Sequence, residues 1–472
     1  MSGQGTARAK VSPQELAERA LALSSADGCV VIVREASAAN LRWANNTLTT
    51  NGVTRTRELT VIAVVDRAEG ASAGAVTRTG ATTADLAELV ELAEAKARAL
   101  TPAEDAAPLL GGGAAGDFAD PPAETSIEVF QALAPQLGEA FQRASASGRN
   151  LYGYAEHDLT TTYLATSEGL RLRHQQPTGT VELTGRSLDG TRSAWAAQAT
   201  RDFRDVDATS LDATVATRLE WAKRRVELPA GRYETLLPPS AVGDLMAYLY
   251  FRSAALDAHE GHTVFSRPGG GTRIGERLSP TLPVNLRGDP GREGVQCAPF
   301  LVTAVSHRLA SVFDNGLAVG PVDWIRDGTL NALVQTRHSA RVTGLPVTPV
   351  VDNLILEAGE GAAGADLDGM VAATRRGLLL TCLWYIREVD PQTLLLTGLT
   401  RDGVYLVEGG EVTGAVNNFR FNESPVDLLA RITELSASEI TRVREFGEWL
   451  PRTVMPAARV PDFNMSSVSQ AS

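Results

Sequence analysis

The sequence has 472 residues, of which 43% are hydrophobic, 21% charged and only 6% aromatic. That length accommodates two or three domains of roughly 100–200 residues, each with its own core built mainly from Ala, Val and Leu. A net charge of −12 repels phosphate backbones and anionic lipid, which excludes nucleic acid and membrane surfaces as expected ligands.

Ser12-Pro13-Gln14-Glu15 is a capping-box pattern with Pro at the first helical position, and it predicts a helix to about Ser24. Residues 29–34, 40–50 and 59–66 have strand character; in the polar stretch 40–50 only Leu41, Trp43 and Leu48 can be partly buried. Residues 83–100 form the clearest helix, with Leu86, Leu89, Val90, Ala93 and Ala97 on one face. A loop over 101–125 carries Gly111-Gly112-Gly113 and Pro121-Pro122. A helix over 126–145 follows, then strand-rich sequence over 150–200 with a hairpin turn at Asp189-Gly190, then a helix over 211–226.

Leu228-Pro229-Ala230-Gly231 marks a domain boundary, so residues 1–226 are expected to form an N-terminal α+β domain. Residues 227–472 are expected to form a mostly β domain with a helix over 241–258 and hairpin turns at Asp402-Gly403 and Gly409-Gly410. The fold class is therefore α+β.

Several chemistries are excluded. No Gly-Lys pair occurs, so there is no Walker loop, and no serine stands three residues before any of the lysines Lys10, Lys96 and Lys223. Gly70-Ala71-Ser72-Ala73-Gly74 matches G-x-S-x-G, but no apolar helix pattern follows, so a small-residue loop is expected there. Gly269-Gly270-Gly271-Thr272-Arg273-Ile274-Gly275 departs from the dinucleotide spacing and reads as a loop. Cys29, Cys297 and Cys382 lie far apart without ligand spacing and read as buried hydrophobes of a reducing compartment. Leu378 to Ile386, the longest apolar run, is too short to span a bilayer, and Met1 to Lys10 has no apolar signal region. A cytoplasmic location is expected.

One constellation carries possible chemistry: Asp257-Ala258-His259-Glu260-Gly261-His262. On a helix, His259 and His262 would stand roughly 60° apart and share a metal with Asp257 or Glu260. The spacing is not that of H-E-x-x-H, and a plain polar helix end is the alternative. His338, within Thr336-Arg337-His338-Ser339-Ala340-Arg341, reads as part of an exposed helix or, with its arginines, as an anion site. His157, His174 and His307 are isolated in sequence.

Certain segments, taken in order, carry a resemblance. They are Arg42-Trp43-Ala44-Asn45-Asn46, Thr166-Ser167-Glu168-Gly169-Leu170, and Val226 to Tyr233 followed by Leu237-Pro238-Pro239. Phe313-Asp314-Asn315-Gly316, Asp327-Gly328-Thr329-Leu330, Arg337 to Arg341 and Val404 to Val412 complete the set. Together they resemble the TldD/PmbA family, whose branches are the metallopeptidase subunit TldD and its partner PmbA, also called TldE.

TldD-like members carry H-E-x-x-x-H on a helix, and a cysteine near the C-terminus completes the zinc site. Placing His262 on the second histidine puts Asp257 on the first and Ala258 on the catalytic glutamate, and an alanine cannot act as a base. His259 and Glu260 then occupy positions that hold no ligand in the family, and no cysteine follows residue 430. The resemblance therefore implies the TldE branch. It implies a subunit with no catalytic residue, metal or cofactor of its own, paired in a cytosolic heterodimer with a TldD-like metallopeptidase subunit that holds zinc. The expected substrates are unfolded or extended peptides. Two alternatives stand beside it: a self-sufficient metal-dependent peptidase using His259 and His262, and a binding protein for maturation of a peptide natural product.

Overall fold

Ser12 accepts a hydrogen bond from the Glu15 N–H (3.1 Å) and so starts helix α1 (Pro13–Leu23), as the capping pattern predicts. The computed structural model describes residues 11–469 and has the α+β architecture expected. Its first half is one antiparallel sheet of six strands: β1 (Gly28–Ala44), β2 (Thr47–Arg67), β3 (Gly70–Thr79), β4 (Arg149–Thr166), β5 (Arg171–Ser187) and β6 (Ser193–Thr200). Their order is β3-β2-β1-β4-β5-β6. Helices α2 (Leu86–Ala99) and α3 (Leu133–Ala146) lie between β3 and β4 in sequence, and α4 (Ala208–Trp221) follows β6.

The two-residue period of a strand divides this sheet into two unlike faces. On β1 the odd residues Cys29, Val31, Val33, Ala39, Leu41 and Trp43 are buried beneath the helices, the first three against α1 and α2 and the last three against α3 and α4. The even residues Val30 and Ile32, with Ile62, Val64 and Leu164, pack instead on Phe300, Val312 and Phe313 of the second half. One face thus belongs to the helices and the other to the C-terminal domain.

Several expected elements are corrected. β1 runs unbroken through residues 35–39, between the expected strands, because that stretch pairs with β2 on one side and β4 on the other. The expected strand 40–50 is a hairpin: Asn45 and Asn46 take left-handed conformations (φ 49° and 59°), which Asn tolerates, and Leu48 beyond the turn is 46% exposed. Gly70 to Gly74 is not a loop but the start of β3. A Cβ at Gly74 would lie 2.3 Å from the Ala93 carbonyl oxygen, so the small residues let α2 sit directly on the strand. The helix expected over 126–145 divides into a 3₁₀ turn, Ile127–Phe130, and α3.

α4 ends at Trp221, and the strand Arg225–Val226 pairs with Glu411–Val416 of the second half, so the boundary expected at 226/227 falls at the strand that joins the halves. The second half contains a six-stranded sheet and a larger one. In the larger sheet, Gly231–Leu237 lies between Ala458–Val468 (antiparallel) and Arg376–Leu380 (parallel). Helix α5 (Pro239–Phe251) is buried in the core shared by both. The helix expected over 241–258 breaks after Phe251, where the Ala255 N–H bonds the Val334 carbonyl (2.9 Å) and pulls the chain aside, before a short helix α6 (Ala255–His259). No helix among the described residues is long and apolar enough to cross a membrane.

The halves are tied at Glu182 on β5. Its carboxylate accepts hydrogen bonds from Arg442 Nε (2.7 Å), the Tyr154 hydroxyl (3.0 Å) and Trp195 Nε1 (3.2 Å). Nearby, the Arg444 guanidinium stacks between the rings of Trp195 (4.9 Å) and Trp384 (4.0 Å), one from each half. The Arg442 side chain is only 9% exposed, so removing its counter-charge strands a buried cation. Urea unfolding of Glu182→Gln should show a loss of about 3 kcal/mol, and adding Arg442→Met should restore most of it.

Candidate functional site

The Asp257–His262 segment is a short turn rather than the end of a long helix. α6 stops at His259, Glu260 caps it, and Gly261 reverses the chain with φ 86°. This geometry gathers Asp257, Glu260 and His262, whose ligand atoms all lie within 4.8 Å of one another. His259 stands outside that trio and is exposed, so the two histidines do not share a site as helical spacing suggests. Ala258 points into the core with no exposed surface and offers no base.

A cation already occupies the centre of this turn. Arg308 places Nε 3.0 Å from Asp257 Oδ1 and Nη2 3.0 Å from Glu260 Oε2, while His262 Nδ1 lies 3.5 Å from Glu260 Oε2. A zinc ion would have to displace the guanidinium and would find one imidazole and two half-exposed carboxylates.

The resemblance places the third zinc ligand near the C-terminus, and the helix that meets that segment is α5. α5 packs on the strand Thr453–Met455, and a Cβ at Gly243 would stand 2.4 Å from Val443 Cγ1. It carries one ionisable carboxyl, Asp244, which is buried and accepts a hydrogen bond from the Glu445 N–H (2.8 Å). Burial pushes this carboxyl up to about 7. A lone carboxylate inside a mostly apolar helix is the signal by which Asp244 is legible in the sequence. α5 contains no His, Cys or Glu. The cysteines supply no thiolate either: burial raises Cys29 to about 11 and Cys297 and Cys382 to about 12. Neither place has a donor set that fits zinc.

His157, Arg337 and Arg341 are engaged in structural contacts. His157 is buried, its ring nitrogens bridging the Thr125 hydroxyl (2.7 Å) and the Arg201 carbonyl (2.9 Å). Arg337 binds buried Asp314 (2.6 Å) and the Pro108 carbonyl (3.0 Å), and Arg341 donates to the Ala106 carbonyl (3.2 Å). These arginines hold the 101–125 loop to the second half and so are engaged rather than open to an anion.

Residues 230–467 match the family of the PmbA/TldA metallopeptidase C-terminal domain. Solved structures share the fold over almost the whole chain. TldE from Thermococcus kodakarensis superposes with a TM-score of 0.76 at 15% identity, covering 96% of this chain and 99% of its own. A protein described as a candidate modulator of DNA gyrase from Thermotoga maritima gives 0.74 at 16%, and one from Bacteroides thetaiotaomicron gives 0.72 at 13%, each with the same coverage. No curated protein matches the sequence.

Two outcomes are expected. The purified chain should retain well under one zinc per molecule after mild chelation; stoichiometric zinc lost in a His259→Ala, His262→Ala double variant would contradict this geometry. Asp244 binds a proton more tightly folded than unfolded, where its carboxyl returns to about 3.9. It therefore makes stability fall as pH rises from about 4 to about 7, by an amount on the order of a few kcal/mol. Asp244→Asn should flatten that part of the stability profile in chemical denaturation.

Proposed function

Since the chain belongs to the PmbA/TldD metallopeptidase family through its C-terminal half, we propose that it is the zinc-less, TldE-type subunit of a heterodimeric metallopeptidase. The supporting observation is the failure of both candidate positions as zinc sites. A guanidinium fills the Asp257–Glu260–His262 turn, and the helix facing the C-terminal segment carries no His, Cys or Glu and a single, buried carboxyl. Zinc and the catalytic glutamate then belong to a TldD-like partner carrying H-E-x-x-x-H, and the pair works in the cytoplasm.

The division of labour has a physical rationale. A zinc site roofed by an inert subunit is closed to folded proteins and open to extended peptides. Such peptides are held as an added strand through main-chain hydrogen bonds, which gives broad sequence tolerance. In this reading the contribution of the present chain is walls and interface.

Peptide hydrolysis should be absent from this chain alone and appear when the H-E-x-x-x-H partner is added. Glu260→Gln should leave turnover by the complex within a few-fold of normal, because surface substitutions usually cost under ~0.5 kcal/mol. Loss of activity in that variant with assembly intact would assign the catalytic carboxylate to this chain and overturn the proposal.

A further inference from the structure

β2 outruns the strand beside it. β1 pairs with β2 from Thr47 to Val64, whereas β3 pairs with it only from Glu58 to Arg67. At Gly80, with a φ of 73°, the chain turns out of the sheet toward α2, and the Gly80 N–H donates to the Arg57 carbonyl (2.7 Å). Peptide groups alternate sides along an antiparallel strand, so Arg55, Val53 and Asn51 turn theirs the same way as Arg57, past the end of β3. Among the described residues these three have no backbone partner on that side. Residues 47–57 are largely exposed and hold no Pro or Lys, the residues that commonly block strand addition.

A cleft of about 710 Å³ opens beside the same edge. Residues 35–37 of β1 and 55–57 of β2 floor it, and Val11, Pro13, Ala81, Pro121 and Pro122 are among its walls. Its four charged side chains form two ion pairs with one another: Arg57 with Glu35, and Arg55 with Glu124 (2.8 Å). The cleft therefore offers an ionic ligand no free counter-charge, and its walls suit an apolar group. Residues opposite one another on neighbouring strands share a face, so a strand added beside β2 sends the residue opposite Arg55 over the cleft.

The geometry of the edge selects its occupant. Outward N–H and C=O groups on alternate residues are matched by another extended backbone. A strip ~36 Å long and ~10 Å deep covers about 360 Å² per partner, against the ~800 Å² per partner of a stable interface between folded proteins. The edge is sized for a peptide rather than for a second copy of the chain. We propose that an extended peptide adds to the Thr47–Arg57 edge as an antiparallel strand and seats a neutral, apolar side chain in the cleft. The peptide as natural occupant rests on the peptidase-subunit reading above; the strand-addition site itself does not.

The test uses the full chain without any partner, so its failure is separable from failure of the heterodimer. In isothermal titration the probe is acetyl-Thr-Thr-Leu-Thr-Thr-amide. With Leu opposite Arg55, the Leu N–H bonds the edge, and the N–H of each neighbouring Thr points away. N-methylation of the Leu amide should weaken binding at least ~10-fold, whereas N-methylation of the following Thr should leave it nearly unchanged. Replacing the Leu by Glu should also weaken binding. Hydrogen exchange at the Val53 and Arg55 amides should slow when the peptide is added. Val53→Pro removes an outward N–H and spares the ladder to β1, so it should abolish binding with little change in melting temperature. Equal binding of the two methylated peptides, no binding of the parent peptide, a Glu peptide that binds as tightly, or undiminished binding by a folded Val53→Pro variant would overturn the proposal. So would protection of these amides before peptide is added, since the edge would then be covered already, by a second copy or by residues 1–10.

Discussion

Everything in this molecule that spans its two halves depends on the two-residue period of the N-terminal sheet. A slip of one residue in β1 or β4 would turn Val30, Ile32 and Leu164 under the helices and drive Arg34, Glu156 and Asp158 into apolar packing. The long pairing of β1 with β4, from Val30 opposite Thr166 to Trp43 opposite Gly153, resists that slip over its whole length. The helices pack on one face, and the C-terminal domain docks on the other. It docks by hydrophobic burial at one end and by a buried charged hydrogen-bond network at the other. A polar cavity lies between two such different seals.

Part of this architecture is legible in the sequence, and the limits have physical causes. α1 is readable because its cap is local, α2 because its apolar stripe is local, and the Asp189-Gly190 turn because Gly190 takes a φ of 70°. The continuity of β1 is not readable, since the pairing that carries residues 35–39 through comes from β2 and from β4, the latter far away in sequence. Gly70 to Gly74 suggests a motif or a loop, whereas its glycine at 74 serves helix packing. The break after Phe251 is set by a hydrogen bond to Val334, far away in sequence, which no local pattern reveals.

Some of the segments that carry the family resemblance meet the seam, and others form turns within the second half. Asp314 is buried against Arg337, the Asn315 side chain bonds the backbone of Thr303, and Gly316 adopts a φ of 87° in contact with Leu170 of the first half. Asp327 and Gly328 form the left-handed turn between Val322–Arg326 and Thr329–Leu330, with Gly328 tight against the Ser279 carbonyl. The fold of the PmbA/TldA metallopeptidase C-terminal domain is thus built from such turns and contacts. Arg308 supplies a fixed positive charge in the Asp257 turn, and the helix nearest the C-terminal segment is a core element.

Native mass spectrometry of the assembly isolated through this chain from its own host tests the central claim most directly, because it reads partner identity, stoichiometry and metal together. The account predicts this chain bound to a second chain that contains H-E-x-x-x-H, with the complex heavier than the two polypeptides by the mass of zinc and this chain metal-free after dissociation. A homo-oligomer of this chain carrying its own zinc would contradict it.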